Sequence, residues 1–156
     1  MSAETLADET SYVVKNPTNQ LFFKNPSINL VPFFNYFSFL LQVAKGLKHC
    51  HDNSIVHLDI KPANVLVTSR GVCKLADFGC SHRLENNQEL KPVDVLTPGT
   101  PGYQAPEMFK LKIIHLKCDI FSFGILMWQL LVKEPNPYPE SHPHTIIFLV
   151  VSEDSR

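Results

Sequence analysis

Excess charge of either sign is missing from this chain. Its 156 residues carry 14 Lys and Arg against 15 Asp and Glu, a net charge of −1. So balanced a composition leaves no basic footprint for a phosphate backbone, and no nucleic-acid partner is expected. Paired cysteines are missing as well. Cys50, Cys73, Cys80 and Cys118 form no CxxC pair, which fits reduced thiols and a cytoplasmic protein. Cys80-x-His82 and Cys50-His51 are too sparse to specify zinc. The opening MSAETLADET has acids and no basic segment, so it is not expected to be a secretory signal. Ile28 to Ala44 carries no formal charge, but it is short for a membrane span and broken by Pro32, Asn35, Ser38 and Gln42. It is expected to be a core-facing helix with no membrane role.

Glycine is scarce, at six residues, whereas proline is not, at twelve. That balance argues for several sharp loops rather than a simple helix bundle. Residues 1 to 26 show no clear period. From Asn29, a plausible helix cap followed by Pro32 in the first turn, Phe33, Phe37, Leu40, Leu41, Ala44 and Leu47 recur every three or four residues. This spacing predicts a helix to about Cys50 with one apolar stripe. Ile55-Val56, Val65 to Val67 and Val72 to Leu75 read as short strands, the last two joined by the turn Thr68 to Gly71 as a hairpin. Residues 80 to 100 read as a long polar loop. A short helix is expected near Pro106. Asp119 to Val132 is apolar on nearly every side and, at fourteen residues, too short to span a bilayer; it is expected to be the buried axis of the domain. His144 to Val151 suits one more short helix or strand.

The stretch Ile55 to Val67, IVHLDIKPANVLV, concentrates chemistry. His57, Asp59, Lys61 and Asn64 lie within eight residues, with Pro62 at the bend. Asp77-Phe78-Gly79 follows the next strand. Two acids and an amide on adjacent strands can converge on one small volume, which is what a metal-bound phosphate needs.

These motifs resemble the eukaryotic protein kinase family. His57-Leu58-Asp59 with Lys61 and Asn64 is similar to the catalytic loop, Asp77-Phe78-Gly79 to the metal-binding triplet, and Ala105-Pro106-Glu107 to the close of the activation segment. Order and spacing agree across about fifty residues. Leu58 where most kinases have arginine, with KPANVLV, CKLADFGCS and the Gly99-Thr100 segment before Ala105, resembles the Mos family of serine/threonine kinases. The resemblance covers residues 28 to 151, with 1 to 27 unassigned and 152 to 156 a tail. It implies a mainly α, α+β fold: the C-terminal lobe of a kinase, incomplete, with a small β-hairpin carrying the catalytic loop and no N-terminal lobe.

The resemblance also implies roles. Asp59 would orient or accept the proton of a substrate hydroxyl. Lys61 would neutralise charge on the transferred phosphoryl group, and Thr100 would brace both. Asn64 and Asp77 would hold Mg²⁺ against ATP. His57 would brace the loop, and Asp119 would accept hydrogen bonds from its backbone. Glu107 would pair with a late arginine, yet none lies between Arg83 and Arg156. The implied partner is a protein substrate, a MAP kinase kinase, with a role in meiosis; no oligomeric state is implied.

Before residue 55 the sequence has one glycine, Gly46, and no G-x-G-x-x-G segment or early V-A-I-K lysine. The expectation is an internal piece of a kinase. Its alternative to catalysis is a non-catalytic, kinase-like interaction module or an inactive fragment. Leu58 also removes the usual receptor for an activation-loop phosphate. Phosphotransfer activity is therefore expected to survive Thr97→Ala. A kinase assay in which this substitution abolished activity of a folded protein would contradict that reading of Leu58.

Overall fold

A computed structural model of the chain describes residues 36–68, 71–84, 99–110, 114–134, 136–138 and 142–153. Among these, four α-helices frame four very short strands: α1 (Tyr36–Asp52), β1 (Ile55–Val56), β2 (Val65–Val67), β3 (Cys73–Leu75), β4 (His82–Arg83), α2 (Pro106–Lys110), α3 (Leu116–Val132) and α4 (Pro143–Glu153). The expected cap at Asn29 and the residues around Phe33 lie outside the described residues.

Helix α1 buries Phe39, Leu40, Val43, Leu47 and Cys50, a stripe at helical spacing, which corrects the expected stripe: Leu40 and Leu47 lie on it, but Phe37 and Leu41 are exposed. Its Gln42 breaks the apolar run for a reason. The side-chain oxygen accepts from Cys73 N–H at 2.9 Å, and the amide nitrogen donates to Gly71 C=O at 3.3 Å. One glutamine thus satisfies the start of β3, where a sheet edge would otherwise lie open. Strands β2 and β3 form the expected hairpin, with Val65 opposite Leu75.

The other strands correct the expected loop over residues 80 to 100. β1 pairs antiparallel with β4, Ile55 opposite Arg83 and Val56 opposite His82. So part of the region expected to be a long loop is a strand, and the loop from His57 to Asn64 is suspended between two separate two-stranded ladders. A two-residue strand is too short to show a period of two, which is why β4 left no trace in the hydrophobic pattern.

Two buried clusters hold the loop from opposite sides. Phe39, Leu40, Val43, Leu47, Ile60, Val65, Leu126 and Leu130 join α1, β2 and α3. Val56, Leu58, Leu84, Ala105, Met108, Ile114 and Cys118 join β1, α2 and the start of α3. Leu58 belongs to one cluster and Ile60 to the other. Asp59 is fixed between these two anchors. Leu58 also adopts the left-handed conformation, φ 64°, a strain of order 1–3 kcal/mol that its burial must offset.

Helix α3 begins three residues before the expected Asp119. The His115 side chain caps it by accepting from Lys117 N–H, and Lys133, left-handed at φ 60°, closes it. Its buried stripe is Cys118, Asp119, Ser122, Leu126, Gln129 and Leu130. Ile120, Met127, Trp128, Leu131 and Val132 are exposed, so the helix is a one-sided element rather than an axis buried all round. Composition told that the helix is apolar everywhere. It could not tell that the covered face is the one with three polar side chains, because their burial depends on partners distant in sequence. Helix α4, with Ile146 and Val150 buried, packs against α2 and the turn at Pro101–Tyr103. No described helix is long and apolar enough to cross a membrane.

The position of Leu58 makes a direct expectation. Leu58→Arg would place a charge inside an apolar cluster and is expected to lower stability by about 2–4 kcal/mol. Leu58→Met, which keeps volume and apolarity, should cost less than about 1.5 kcal/mol. Urea unfolding midpoints of the two variants check the contrast.

Candidate active site

The site begins with a buried acid. Asp119 lies in the first turn of α3 and is fully buried. Its Oδ1 accepts from Leu58 N–H at 2.8 Å, and its Oδ2 accepts from His57 N–H at 2.8 Å. His51 Nε2, from the last turn of α1, is 2.9 Å from the same Oδ2. Two turn amides with no ladder partner and one buried carboxylate thus satisfy one another.

His57 carries the next layer. Its Nδ1 accepts from Asp59 N–H at 3.3 Å, which leaves the ring proton on Nε2, 3.1 Å from Ala76 C=O. Ala76 N–H in turn donates to Asn64 C=O at 2.9 Å. The imidazole therefore links the loop to the residue before Asp77, and its ring lies 4.7 Å from that of Phe78.

Asp59 receives three side chains. Lys61 Nζ donates to Oδ2 at 2.7 Å, Asn64 Nδ2 to Oδ2 at 2.8 Å, and Thr100 Oγ1 to Oδ1 at 2.8 Å. Lys61 Nζ also lies 2.7 Å from Thr100 Oγ1, closing a ring. Burial pushes the Asp59 carboxyl up, but the hydrogen bonds from Lys61, Thr100 and Asn64 and the lysine charge outweigh it. The group sits below its ordinary value of 3.8.

Asn64 donates from Nδ2 to Asp59 C=O as well, at 2.8 Å. With both amide hydrogens on Asp59, its carbonyl oxygen is the ligand atom it has to offer. Asp77 is exposed and left-handed, φ 61°, and its Oδ1 accepts only a long 3.4 Å bond from Gly79 N–H. Two hard oxygen donors on loops tied together through Ala76 suit Mg²⁺.

Thr100 is delivered from far along the chain by a close backbone approach. Gly99 has φ 106°, and a Cβ there would lie 2.3 Å from Leu58 C=O. Only glycine fits. Beyond it, Tyr103 O–H donates to Gln129 Oε1 at 2.6 Å, and Ser122 Oγ donates to Tyr103 C=O at 2.6 Å. Burial first, then the nearby Asp59 charge, pushes the Tyr103 phenol up to about 12.

Comparison with known proteins then places the chain. The Protein kinase domain family model matches residues 17–153. The chain belongs to the protein kinase family. A serine/threonine-protein kinase-transforming protein mos of Moloney murine sarcoma virus is 41% identical over 116 residues, 74% of this chain and 30% of that protein. The proto-oncogene serine/threonine-protein kinase mos of Rattus norvegicus is 41% identical over 74% of this chain and 33% of its own length. The serine/threonine-protein kinase mos of Patiria pectinifera is 40% identical over 122 residues. The chain spans about a third of the length of these relatives.

Asp59, Lys61, Asn64 and Thr100 are brought together directly in this kinase-family chain. Asp77 and His57 are tied in through Ala76, and Asp119 lies beneath them. Glu107 stands apart. Its carboxylate faces His115, Nε2 3.5 Å away, and the Cys118 thiol at 3.8 Å. Sequence reasoning looked for an arginine and missed this pair. It also missed His51, which it met only beside Cys50, and Gly99, whose signal is its place next to Thr100.

Gly99→Ala is expected to drive Thr100 away from Asp59 and to reduce phosphotransfer more than it reduces the unfolding midpoint. Asp59 should also leave a mark on stability against pH. A lowered carboxyl contributes above its unfolded value, and that contribution is lost as pH falls below 3.8 toward the folded value. Urea midpoints from pH 7 to pH 3 should therefore fall more steeply for the wild type than for Asp59→Asn.

Proposed function

We propose that this chain carries the catalytic centre of a serine/threonine protein kinase of Mos type, passing the γ-phosphoryl group of ATP to a protein hydroxyl. The observation that carries the reading is the closed ring of Asp59, Lys61 and Thr100, with Asn64 on the same carboxylate. A carboxylate held ionised at neutral pH accepts the hydrogen bond of an incoming hydroxyl and aims its oxygen. Phosphoryl transfer asks mainly for such positioning, because its transition state is loose. Lys61, already poised between Asp59 and Thr100, meets the charge on the transferred group. Asn64 and Asp77 would hold Mg²⁺, which when bound neutralises phosphate charge and orients the nucleotide. Thr100 keeps carboxylate and ammonium in register.

In this reading the described residues form the large lobe of the kinase, and a covering lobe supplies the remaining nucleotide contacts. The likeness to Mos kinases supports a protein substrate, a MAP kinase kinase, and so a MAP kinase kinase kinase role in meiosis. Cys50, Cys73, Cys80 and Cys118 form no disulfide, which supports a cytoplasmic setting. One observation favours a second reading. Phe37 is 76% exposed and Leu131 57%, and apolar faces of this kind serve interaction modules.

Magnesium-dependent phosphate transfer from ATP to a protein substrate tests the choice. Catalysis predicts turnover that falls roughly 10²- to 10⁴-fold in Asp59→Asn, with weakened Mg²⁺-ATP binding in Asp77→Asn. Cooperative unfolding with no nucleotide affinity and no turnover would favour the interaction module.

A further inference from the structure

Outside the ring around Asp59, one imidazole joins the end of the activation segment to the turn that carries Asp119. His115 directly precedes α3, and its Nδ1 lies 3.1 Å from Lys117 N–H. Its Nε2 lies 3.5 Å from Glu107 Oε1, in the first turn of α2. These partners assign the ring hydrogen. A backbone N–H only donates, so Nδ1 accepts; an ionised carboxylate only accepts, so Nε2 carries the hydrogen. One neutral tautomer serves both contacts. Cys118 Sγ lies 3.8 Å from Glu107 Oε1 and 3.8 Å from His115 Nδ1. The charged carboxylate is the stronger acceptor for its hydrogen, which leaves Nδ1 to the helix.

We propose that His115 is a positioning residue for phosphotransfer: its Nδ1 caps α3 while its Nε2–H holds Glu107, so that α2 and the turn beneath the catalytic loop keep one spacing. The role rests on the kinase reading above. Both arms lead to the site. The cap secures the first turn of α3, where Asp119 accepts from the His57 and Leu58 amides. The other arm secures Glu107, at the far end of the segment that brings Thr100 to Asp59.

Packing alone does not supply this second arm. Ala105, Met108, Ile114 and Cys118 give the junction its burial, but apolar burial has no direction. Tyr103 ties the segment to Ser122 and Gln129 farther along α3, so without the Glu107 contact only the near end carries a directed bond. The His115 and Glu107 side chains are each about a quarter exposed. Charge alone therefore fastens them weakly, and the aim of the ring decides the spacing. Cys118 supports it. Burial, then the charges of Glu107 and Asp119, push that thiol up to about 12, against a backbone hydrogen bond at His115 that lowers it. Cys118 thus stays a donor to Glu107 rather than a second anion beside it.

The test combines amide exchange, nitrogen-15 spectra of the His115 ring and a kinase assay, all on the full chain. His115→Asn keeps a capping acceptor near Nδ1 and loses the donor at Nε2; His115→Gln keeps a donor near Nε2 and loses the acceptor. The ring hydrogen is expected on Nε2. His115→Asn should speed exchange of the Met108 amide, which bonds Ala105 C=O, roughly tenfold, while the Lys117 amide stays protected. His115→Gln should release Lys117 and spare Met108. In the assay His115→Asn should lower kcat roughly 10- to 100-fold, with KM for Mg²⁺-ATP and the thermal midpoint unchanged. A ring hydrogen on Nδ1, release of the same amides by both variants, wild-type kcat in His115→Asn, or a kcat loss no larger than its loss of folded protein would overturn the proposal. A wild type without turnover would defeat the kinase reading alone, because the ring tautomer and the exchange pattern judge the His115 contacts without activity.

Discussion

One buried carboxylate underlies the site. Asp119 is sealed from water, and an ionised group in that place is tolerable only when every oxygen is occupied. The His57 and Leu58 amides and the His51 ring occupy it. Hydrogen bonds to a charged acceptor contribute roughly 1.5–3 kcal/mol each. The dependence is mutual. Without Asp119 the loop amides would be buried and unpaired; without the loop Asp119 would be a bare charge in an apolar interior.

From that anchor the rest follows in short steps. Leu58 and Ile60 enter the two hydrophobic clusters on either side of Asp59. His57 passes the constraint to Ala76, and so to Asp77. Gly99 lets a distant segment touch Leu58 C=O and bring Thr100 to the Asp59 carboxylate. Each contact is local, yet together they assemble groups from four stretches of the chain. Leu58 has a double part here. The resemblance presents it as an arginine lost from a phosphate receptor; the structure adds that a leucine fills a core position that a charge could not.

Much of this was legible in the sequence, in proportion to how local each signal is. The α1 helix, the hairpin and the spacing of Asp59, Lys61, Asn64 and Asp77 are short-range patterns that a linear reading can see, although that reading put Phe37 and Leu41, both exposed, on the α1 stripe in place of Phe39 and Val43. The β1–β4 pairing was not, since two-residue strands carry no period. Nor was the covered face of α3, whose polar residues Ser122 and Gln129 meet Tyr103, about twenty residues upstream. The Glu107 surroundings needed the fold as well, because a search for arginine could not show that histidine and cysteine face that carboxylate. Residues that act through long-range contact leave no spacing to read.

Amide hydrogen exchange at His57 and Leu58 tests the central dependence most directly. These are loop amides, and by sequence position they should exchange quickly. Held by Asp119, they should exchange as slowly as the core amides of Leu126 and Leu130, and Asp119→Asn should release them selectively. Exchange at His57 and Leu58 as fast as that of exposed amides, while α3 remains protected, would contradict the account.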